Sequence, residues 1–440
     1  MSSFIRNYQK YNIWGLFAGP APASGFHYSD YNNIGMANSN LTIFDNNLLS
    51  QIDRVNSFSY DFSVQRQDLK QFGVRSLVGR SIVERPSIKI DFSYWMVGLR
   101  NENNLGLLVN YINVTGSPVL SQDECIFNAF TGHDTDVRNL FLAVSPDNTD
   151  IDNNVGDQFS SQLMSPSNLF VMGFGDCYLT SYGITASVGN IPKVSLSYIG
   201  DNVTAYASGS GCNVPAIDSQ SGKLISGVYF TIPQAITYGD PAALSPGDIH
   251  LRIGSISGTT ISETNQALFA VNNSGLPLQS FNLNVNLKRD DLKSIGYILP
   301  VDRRLMFPIN ATLNISSIIP NNYGGNLSHI FDVDNTYDFL INVFNPGCGA
   351  LSGQSIAIQY KIRNAKLSQS RFNYDLGSNL IGTFGFDIEV DVANPSKGIF
   401  MSGLLNCPFP VFPYTYLLLE SGGFLYTEQN NLLIENIFVH

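Results

Sequence analysis

A chain of 440 residues is two to three times a common single-domain length, which favours two domains or one domain present twice. Charged residues make up 13% and apolar residues 44%, so there is too much core material for a disordered chain. With 24 basic against 35 acidic side chains the net charge is -11 and no Lys/Arg run exceeds two, which disfavours a basic face for gripping nucleic acid.

Met1 to Asn7 is short and mixed, and no later stretch approaches the roughly 20 apolar residues that cross a bilayer, so no secretory or membrane segment is expected. Asn40 to Val55 is the best candidate for a helix, with Asn40 as its cap. From Ser57 to Arg66 the chain alternates instead: Phe58, Tyr60, Phe62 and Val64 share one face, and Ser57, Ser59, Asp61, Ser63 and Gln65 the other. The same period of two recurs at Ile88, Ile90, Phe92 and Tyr94. It returns at Ile184 to Val188, at Val194 to Tyr198, and at Phe384 to Val390. Gly (38) and Pro (20) fall mainly between these runs, where turns belong, so the expected fold is mainly β with little helix.

An internal repeat sets the organisation. Residues 57–73, SFSYDFSVQRQDLKQFG, overlay residues 280–296, SFNLNVNLKRDDLKSIG, at an offset of 223 with seven of 17 positions identical. Arg80 and Arg303 keep that offset. The next strand is matched at 221, with Ile88, Ile90, Phe92 and Tyr94 answering Ile309, Ala311, Leu313 and Ile315. Asp134 to Val144 resembles Asp332 to Val343 at about 199, and Leu179, Val188 and Gly189 match Leu367, Leu376 and Gly377 at 188. Collinear blocks with a shrinking offset imply two copies of one unit, residues 1–212 and 213–440, with a boundary in the Gly/Ser-rich stretch Ser208 to Gly222. The first copy carries insertions at about 101–132 and 146–168, expected as loops decorating one face. The C-terminal stretch 407–440 is rich in Leu, Phe and Tyr and is equally compatible with a barrel strand or an arm clasping a neighbour.

Long alternating strands leave unpaired backbone at a sheet edge unless something pairs it. Two tandem units with like-oriented edges can join head to tail, and three such chains would close a six-unit ring.

The strand followed by R-x-D-L-K-x-[FI]-G, the Arg seven residues later, the N-L-F-L-A-V-S-P strand and the segment L-T-S-Y-G-I-T-A-S-V-G-N-I-P (Leu179 to Pro192) resemble tail tube proteins of tailed bacteriophages. The resemblance covers about Asn56 to Gly200 and Gln279 to Val392. The second copy departs from it at Leu367 to Phe372, L-S-Q-S-R-F. It implies trimeric rings of pseudo-sixfold symmetry, stacked around a continuous inner β-barrel that conducts DNA during ejection. It also implies other tail proteins as partners at the tube ends, a place in the virion tail, and synthesis in the host cytoplasm. Ser57, Ser59, Asp61, Ser63 and Gln65, with Asn282, Asn284 and Asn286, become candidate lumen residues whose acidic, Ser/Asn-rich surface repels phosphate, with their apolar alternates packed behind.

The repeated blocks Arg66, Asp68, Lys70, Gly73 with Arg80, and Arg289, Asp291, Lys293, Gly296 with Arg303, are candidate assembly contacts, or else local salt-bridged turns. Sites for chemistry are scarce. The five histidines are far apart and no nucleotide, nucleophile or CxxC motif occurs, so neither an enzyme nor a cofactor is expected. Asp134 and Asp136 beside His133, echoed by Asp332 and Asp334, could hold Ca²⁺ or bond their own backbone before a strand. Asp387 and Glu389 share a strand face, which is commonplace and falls short of a glycosidase pair. The five cysteines, odd in number and widely spaced, read as reduced thiols. A carbohydrate- or receptor-binding β-sandwich of a virion is the alternative, and it would show aromatic platforms on exposed faces.

Overall fold

The computed structural model describes residues 12–20, 42–43, 49–82, 87–96, 98–111, 120, 124–131, 137–145, 169–217, 223–224, 228–232, 249–254, 278–295, 300, 302–319, 336–344, 356–373, 380–391, 394 and 397–403. Among them the fold is almost entirely β. The strands of the first half are β1 (Asn12–Pro20), β2 (Thr42–Ile43), β3 (Ser50–Ile52), β4 (Val55–Ser63), β5 (Arg66–Leu69), β6 (Gly79–Ile82), β7 (Ser87–Trp95), β8 (Asn110–Tyr111), β9 (Val137–Ser145), β10 (Phe170–Ser187), β11 (Asn190–Gly200) and β12 (Asn202–Tyr206). Those that follow are β13 (Cys212–Asn213), β14 (Val228–Phe230), β15 (Ile249–Gly254), β16 (Leu278–Asn286), β17 (Arg289–Leu292), β18 (Asp302–Leu305), β19 (Ile309–Ile318), β20 (Thr336–Phe344), β21 (Ile356–Asn373), β22 (Ile381–Val390) and β23 (Gly398–Gly403). A five-residue helix, α1 (Arg100–Asn104), and a 3-10 turn at Asn128–Thr131 are the helical elements among the described residues.

One sixteen-stranded sheet contains most of these strands, with the neighbour order β15-β20-β21-β22-β19-β16-β10-β11-β7-β4 and β1-β9 branching from β10. The order β1-β9-β10-β11-β7-β4 in the first half therefore recurs as β15-β20-β21-β22-β19-β16 in the second. Fine detail recurs too. β10 and β21 are both 18 residues long and both bulge on the side facing their hairpin partner, at Leu179/Ser181 and at Leu367/Gln369. In each bulge a hydroxyl donates to the next strand's carbonyl, Thr180 to Ser197 at 3.0 Å and Ser368 to Gly385 at 3.1 Å. Asp176 and Asn364 both take left-handed backbone, φ 52° and 61°.

The register corrects one expected match. Phe58 faces Phe92 and Phe281 faces Ile315, so the second strand keeps the offset of 223 rather than 221. A slip of two residues leaves every side chain on its own face, so alternation alone is blind to it. The helix expected over Asn40 to Val55 is absent from its described part, where β2, β3 and the start of β4 stand instead. There Ile52 pairs with Leu16 of β1 and is buried, and the pairing of β3 with β1 outweighs the helical spacing.

Alternation sets the core. Ile88, Ile90, Phe92 and Tyr94 of β7, and Phe281, Leu283 and Val285 of β16, are all buried. They join Val194, Leu196, Tyr198, Leu313, Ile315, Phe384 and Phe386 in one cluster that spans both halves. A smaller cluster on the other face of β1, β9 and β10 gathers Phe17, Phe141, Val171, Cys212, Val214 and Ala216. The stretch from Ser208 to Ile217 thus packs onto the first half. Gly175 permits this, because a Cβ there would overlap the Pro215 carbonyl.

The insertion at about 101–132 is not surface decoration where it is described. Leu105, Leu107, Val109, Cys125, Ile126, Phe127 and Phe130 are buried in the main core. β8 pairs in parallel with β23, and the Ile126 amide donates to the Ile399 carbonyl at 2.9 Å, so the first half's insertion is stitched to a second-half strand. Composition hid this because its Asn-rich flanks read as loop while the apolar residues sit between them. The insertion at 146–168, the segment 407–440, Gly296, and the pairs Asp134/Asp136 and Asp332/Asp334 lie outside the described residues.

Candidate functional site: a seam inside the chain and two open edges

The seam between the halves is a strand pairing. β16 runs antiparallel to the second part of β10, with Ser181 opposite Asn286, Gly183 opposite Asn284, Thr185 opposite Asn282 and Ser187 opposite Ser280. Its continuation is held by the Leu287 amide, which donates to the Thr180 carbonyl at 2.8 Å. Beyond it, the β17–β18 hairpin docks on the first half. Arg303 Nη2 donates to Asp201 Oδ1 at 2.6 Å, and its Nε lies 3.1 Å from Asp291. Arg289 Nε donates to the Leu179 carbonyl at 3.0 Å, and both guanidinium groups lie over the Tyr178 ring, at 5.1 and 5.5 Å from its centre. Arg303 is 7% exposed, so this is a desolvated ion pair rather than a surface one. Below it, burial together with the nearby Asp201 carboxylate raises Asp176 to about 7.

Of the ten expected contact residues, Arg289, Asp291 and Arg303 therefore meet at this internal seam. Their counterparts Arg66, Asp68 and Arg80 sit on the β5–β6 hairpin in water, with Lys70 and Gly73 also exposed and Gly73 turning the chain at φ 87°. Asp68 and Arg80 face each other as Asp291 and Arg303 do, and bond at 2.9 Å, but their side chains are 45% and 61% exposed. Lys293 is exposed as well. Tyr178, Asp176 and Asp201, which complete the seam, carry no local sequence signal. Asp201 lies at the end of a hairpin, and only the Arg80/Arg303 match hinted at a partner.

The candidate lumen residues share one face. Along β22-β19-β16-β10-β11-β7-β4, facing pairs run Asp387–Thr312–Asn284–Gly183–Ser195–Ser93–Ser57, and alongside them Glu389–Asn310–Asn286–Ser181–Ser197–Asp91–Ser59. This polar face is continuous across both halves. It is not acidic on the described strands: Asp61, Asp91, Asp387 and Glu389 are matched by Lys89, Lys193, Lys366 and Arg371. The chain's negative balance lies elsewhere.

The opposite face differs between the halves. Phe281, Leu283 and Val285 on β16 are buried, whereas Tyr60 and Phe62 at the matching places of β4 are 45% and 47% exposed. The expected packing of apolar alternates behind the polar face thus holds for β16 and, on β4, for Phe58, which packs on the main core with its ring centre 5.6 Å from that of Phe174. Tyr60, 5.4 Å from the same ring, and Phe62 stay about half exposed. β4 is the last strand of the path, and β7 is its sole partner among the described residues. At the far end, β22 is the strand that pairs with residues 369–371 of β21 among the described residues, while the matching stretch of β10 also carries β16.

A second buried group lies in the main core. Glu102 of α1 accepts a hydrogen bond from Tyr94 at 2.8 Å and lies 3.4 Å from the Tyr182 hydroxyl, which in turn lies 3.4 Å from that of Tyr360. Burial raises this carboxyl to about 7, against the hydrogen bonds from Tyr94 and Tyr182, and burial together with the neighbouring carboxyl pushes the Tyr94 hydroxyl up. A carboxyl at about 4.5 when unfolded and about 7 when folded binds more protons in the folded state, so its contribution to stability is full below 4.5 and is lost as pH rises through about 7. Substituting Glu102→Gln should make that part of the melting-temperature profile shallower, leaving the share that Asp176 contributes over the same range, and should leave the protein at pH 8 at least as stable as the unaltered chain. Matched thermal melts from pH 4.5 to 8 measure it, and an unchanged slope would contradict the assignment.

No family model matches this chain, and no curated protein matches its sequence. Among solved structures, a chain in the cryo-electron-microscopy structure of the anti-feeding prophage baseplate, sixfold symmetrised, is similar at a TM-score of 0.24 and 15% identity, over 38% of this chain and 99% of that one. Among the described residues no helix is long and apolar enough to cross a membrane, and no group of three His, Cys, Asp or Glu is placed to hold a metal ion.

Proposed function

We propose that this protein is a structural subunit of a virion tail tube: two copies of one β unit in tandem, three chains to a ring, and rings stacked into a conduit for DNA. The observation that carries the reading is the seam. One strand order occurs twice, and the end strand of the second set is already added to β10 of the first. Among the described residues the same addition is open at β4 and at residues 369–373 of β21, which supports a head-to-tail building block with one junction made and one offered. Four strands of each set, β10, β11, β7 and β4 or β21, β22, β19 and β16, continue the path. Six sets make a barrel of about two dozen strands, wide enough for an aqueous channel. The polar face suits a bore lining. Hydroxyls, amides and balanced charges give phosphate no net attraction, so DNA passes without being held. In this reading the chain has no catalytic role, and its partners are copies of itself, other tail proteins at the tube ends, and DNA in transit.

Sedimentation of the purified chain across a wide concentration range tests this. The expected result is a three-chain species that gives way to larger stacks as concentration rises. A single monomeric boundary throughout would contradict it.

A further inference from the structure

We infer that the outer junction is the addition of β4 of one copy onto residues 369–373 of β21 of the next, in the register of the internal seam, with Asp61 opposite Arg371 and Tyr60 opposite Phe372. This rests on the ring proposed above and assigns its contact surface residue by residue. The register follows from two offsets that the strand pairings fix. β4 maps onto β16 at 223, since Phe58 faces Phe92 as Phe281 faces Ile315. β10 maps onto β21 at 188, since Leu179 faces Tyr198 as Leu367 faces Phe386, with both bulges in step. Transferring the seam pairs then sets Ser63 opposite Gln369, Phe62 opposite Ser370, Asp61 opposite Arg371, Tyr60 opposite Phe372 and Ser59 opposite Asn373.

The residues brought together complement each other without having been chosen to. Asp61 and Arg371 are both exposed in the single chain and carry opposite charge, and a cross-strand ion pair stabilises where like charges would repel. Tyr60 at 45% and Phe372 at 41% are among the exposed large apolar residues, and aromatic pairs across strands are favourable. The place that Asp61 and Arg371 would fill is held at the internal seam by Asn284 and Gly183. The charge pair therefore distinguishes the outer junction from the inner one. Beyond the strands, Arg80 stands where Arg303 does, and Glu389 where Asp201 does. Arg80 would then reach a carboxylate that Lys397 holds at 3.1 Å in the single chain. The copy is not complete: Lys366 takes the place of Tyr178, so the stacked guanidinium groups of the seam have no ring to lie on. The outer junction is thus the weaker of the two, as a contact made between separate molecules can be.

Charge exchange in the full chain tests the register. Asp61→Arg and Arg371→Asp should each raise the concentration needed for assembly by about tenfold or more, and the doubly exchanged chain should return to within about threefold of the original. Singles that assemble like the unaltered chain, or an exchange that fails to restore assembly, would overturn the register while leaving the ring standing. An unaltered chain that never assembles would overturn the ring itself. A second variant guards against misfolding: Tyr60→Cys with Phe372→Cys in assembled protein should oxidise into covalent ladders that the unsubstituted chain does not form. Intact assemblies without such ladders would also refute this pairing.

Discussion

Replacing Arg303 by alanine is expected to destabilise the chain by about 3–5 kcal/mol, the range for breaking a buried ion pair from one side. The guanidinium is 7% exposed and its loss leaves Asp201, 10% exposed at its side chain, without the cation at 2.6 Å, close to the buried Asp176 carboxyl. The same change at Arg80, in the sequence-equivalent position, should cost no more than about 1 kcal/mol, because its bond to Asp68 lies in water. Denaturant unfolding of the two variants at matched pH, at concentrations where the chain is monomeric, measures the contrast. Equal losses at both places would mean that the hairpins of the two halves are stabilised locally and that the seam contributes nothing.

The second large effect separates folding from assembly. Phe386 is fully buried and packs edge-on against Phe339, ring centres 4.7 Å apart, and against Tyr337 at 5.6 Å. Phe386→Ala should therefore cost about 3–5 kcal/mol, from lost burial and the cavity left behind. Phe62 is 47% exposed, and Phe62→Ser should leave monomer stability within about 0.5 kcal/mol while weakening self-association severalfold. Thermal melts and sedimentation on the two variants distinguish the outcomes. A Phe62 variant that melts much earlier as a monomer would show that Phe62, like Phe58 and Tyr60 beside Phe174, already packs within its own chain.

Much of this was legible from alternation. A period of two in runs such as Ser57 to Arg66 and Ile88 to Tyr94 places the strands and, for β7, β16 and β19, their buried faces. The recurrence of R-x-D-L-K marks Asp68 with Arg80 and Asp291 with Arg303 as matching cross-strand pairs. What stayed hidden is what depends on partners distant in sequence. The slip from 221 to 223 leaves every face unchanged, so pattern could not register it. Tyr60 and Phe62 look like core by alternation yet stay about half exposed, and in the ring proposed above a second copy is what would cover them. Glu102 lies in R-N-E-N-N, which reads as loop. Its burial comes from Tyr94, Tyr182 and Tyr360, each on a different strand. The burial of the 101–132 insertion has the same origin, since its apolar residues are matched by β23, nearly 300 residues away. Net charge misled about the polar face proposed as a bore lining, because a sum over the chain says nothing of which face the acids occupy.

Negative-stain electron microscopy of the purified full chain, averaged over end-on views, tests the central claim most directly. Six similar lobes with true threefold symmetry, in a ring about 100 Å across around a hole of roughly 40 Å, are the expected image for a barrel of about two dozen strands. Compact single particles with no hole at any concentration, or open chains that never close, would contradict it.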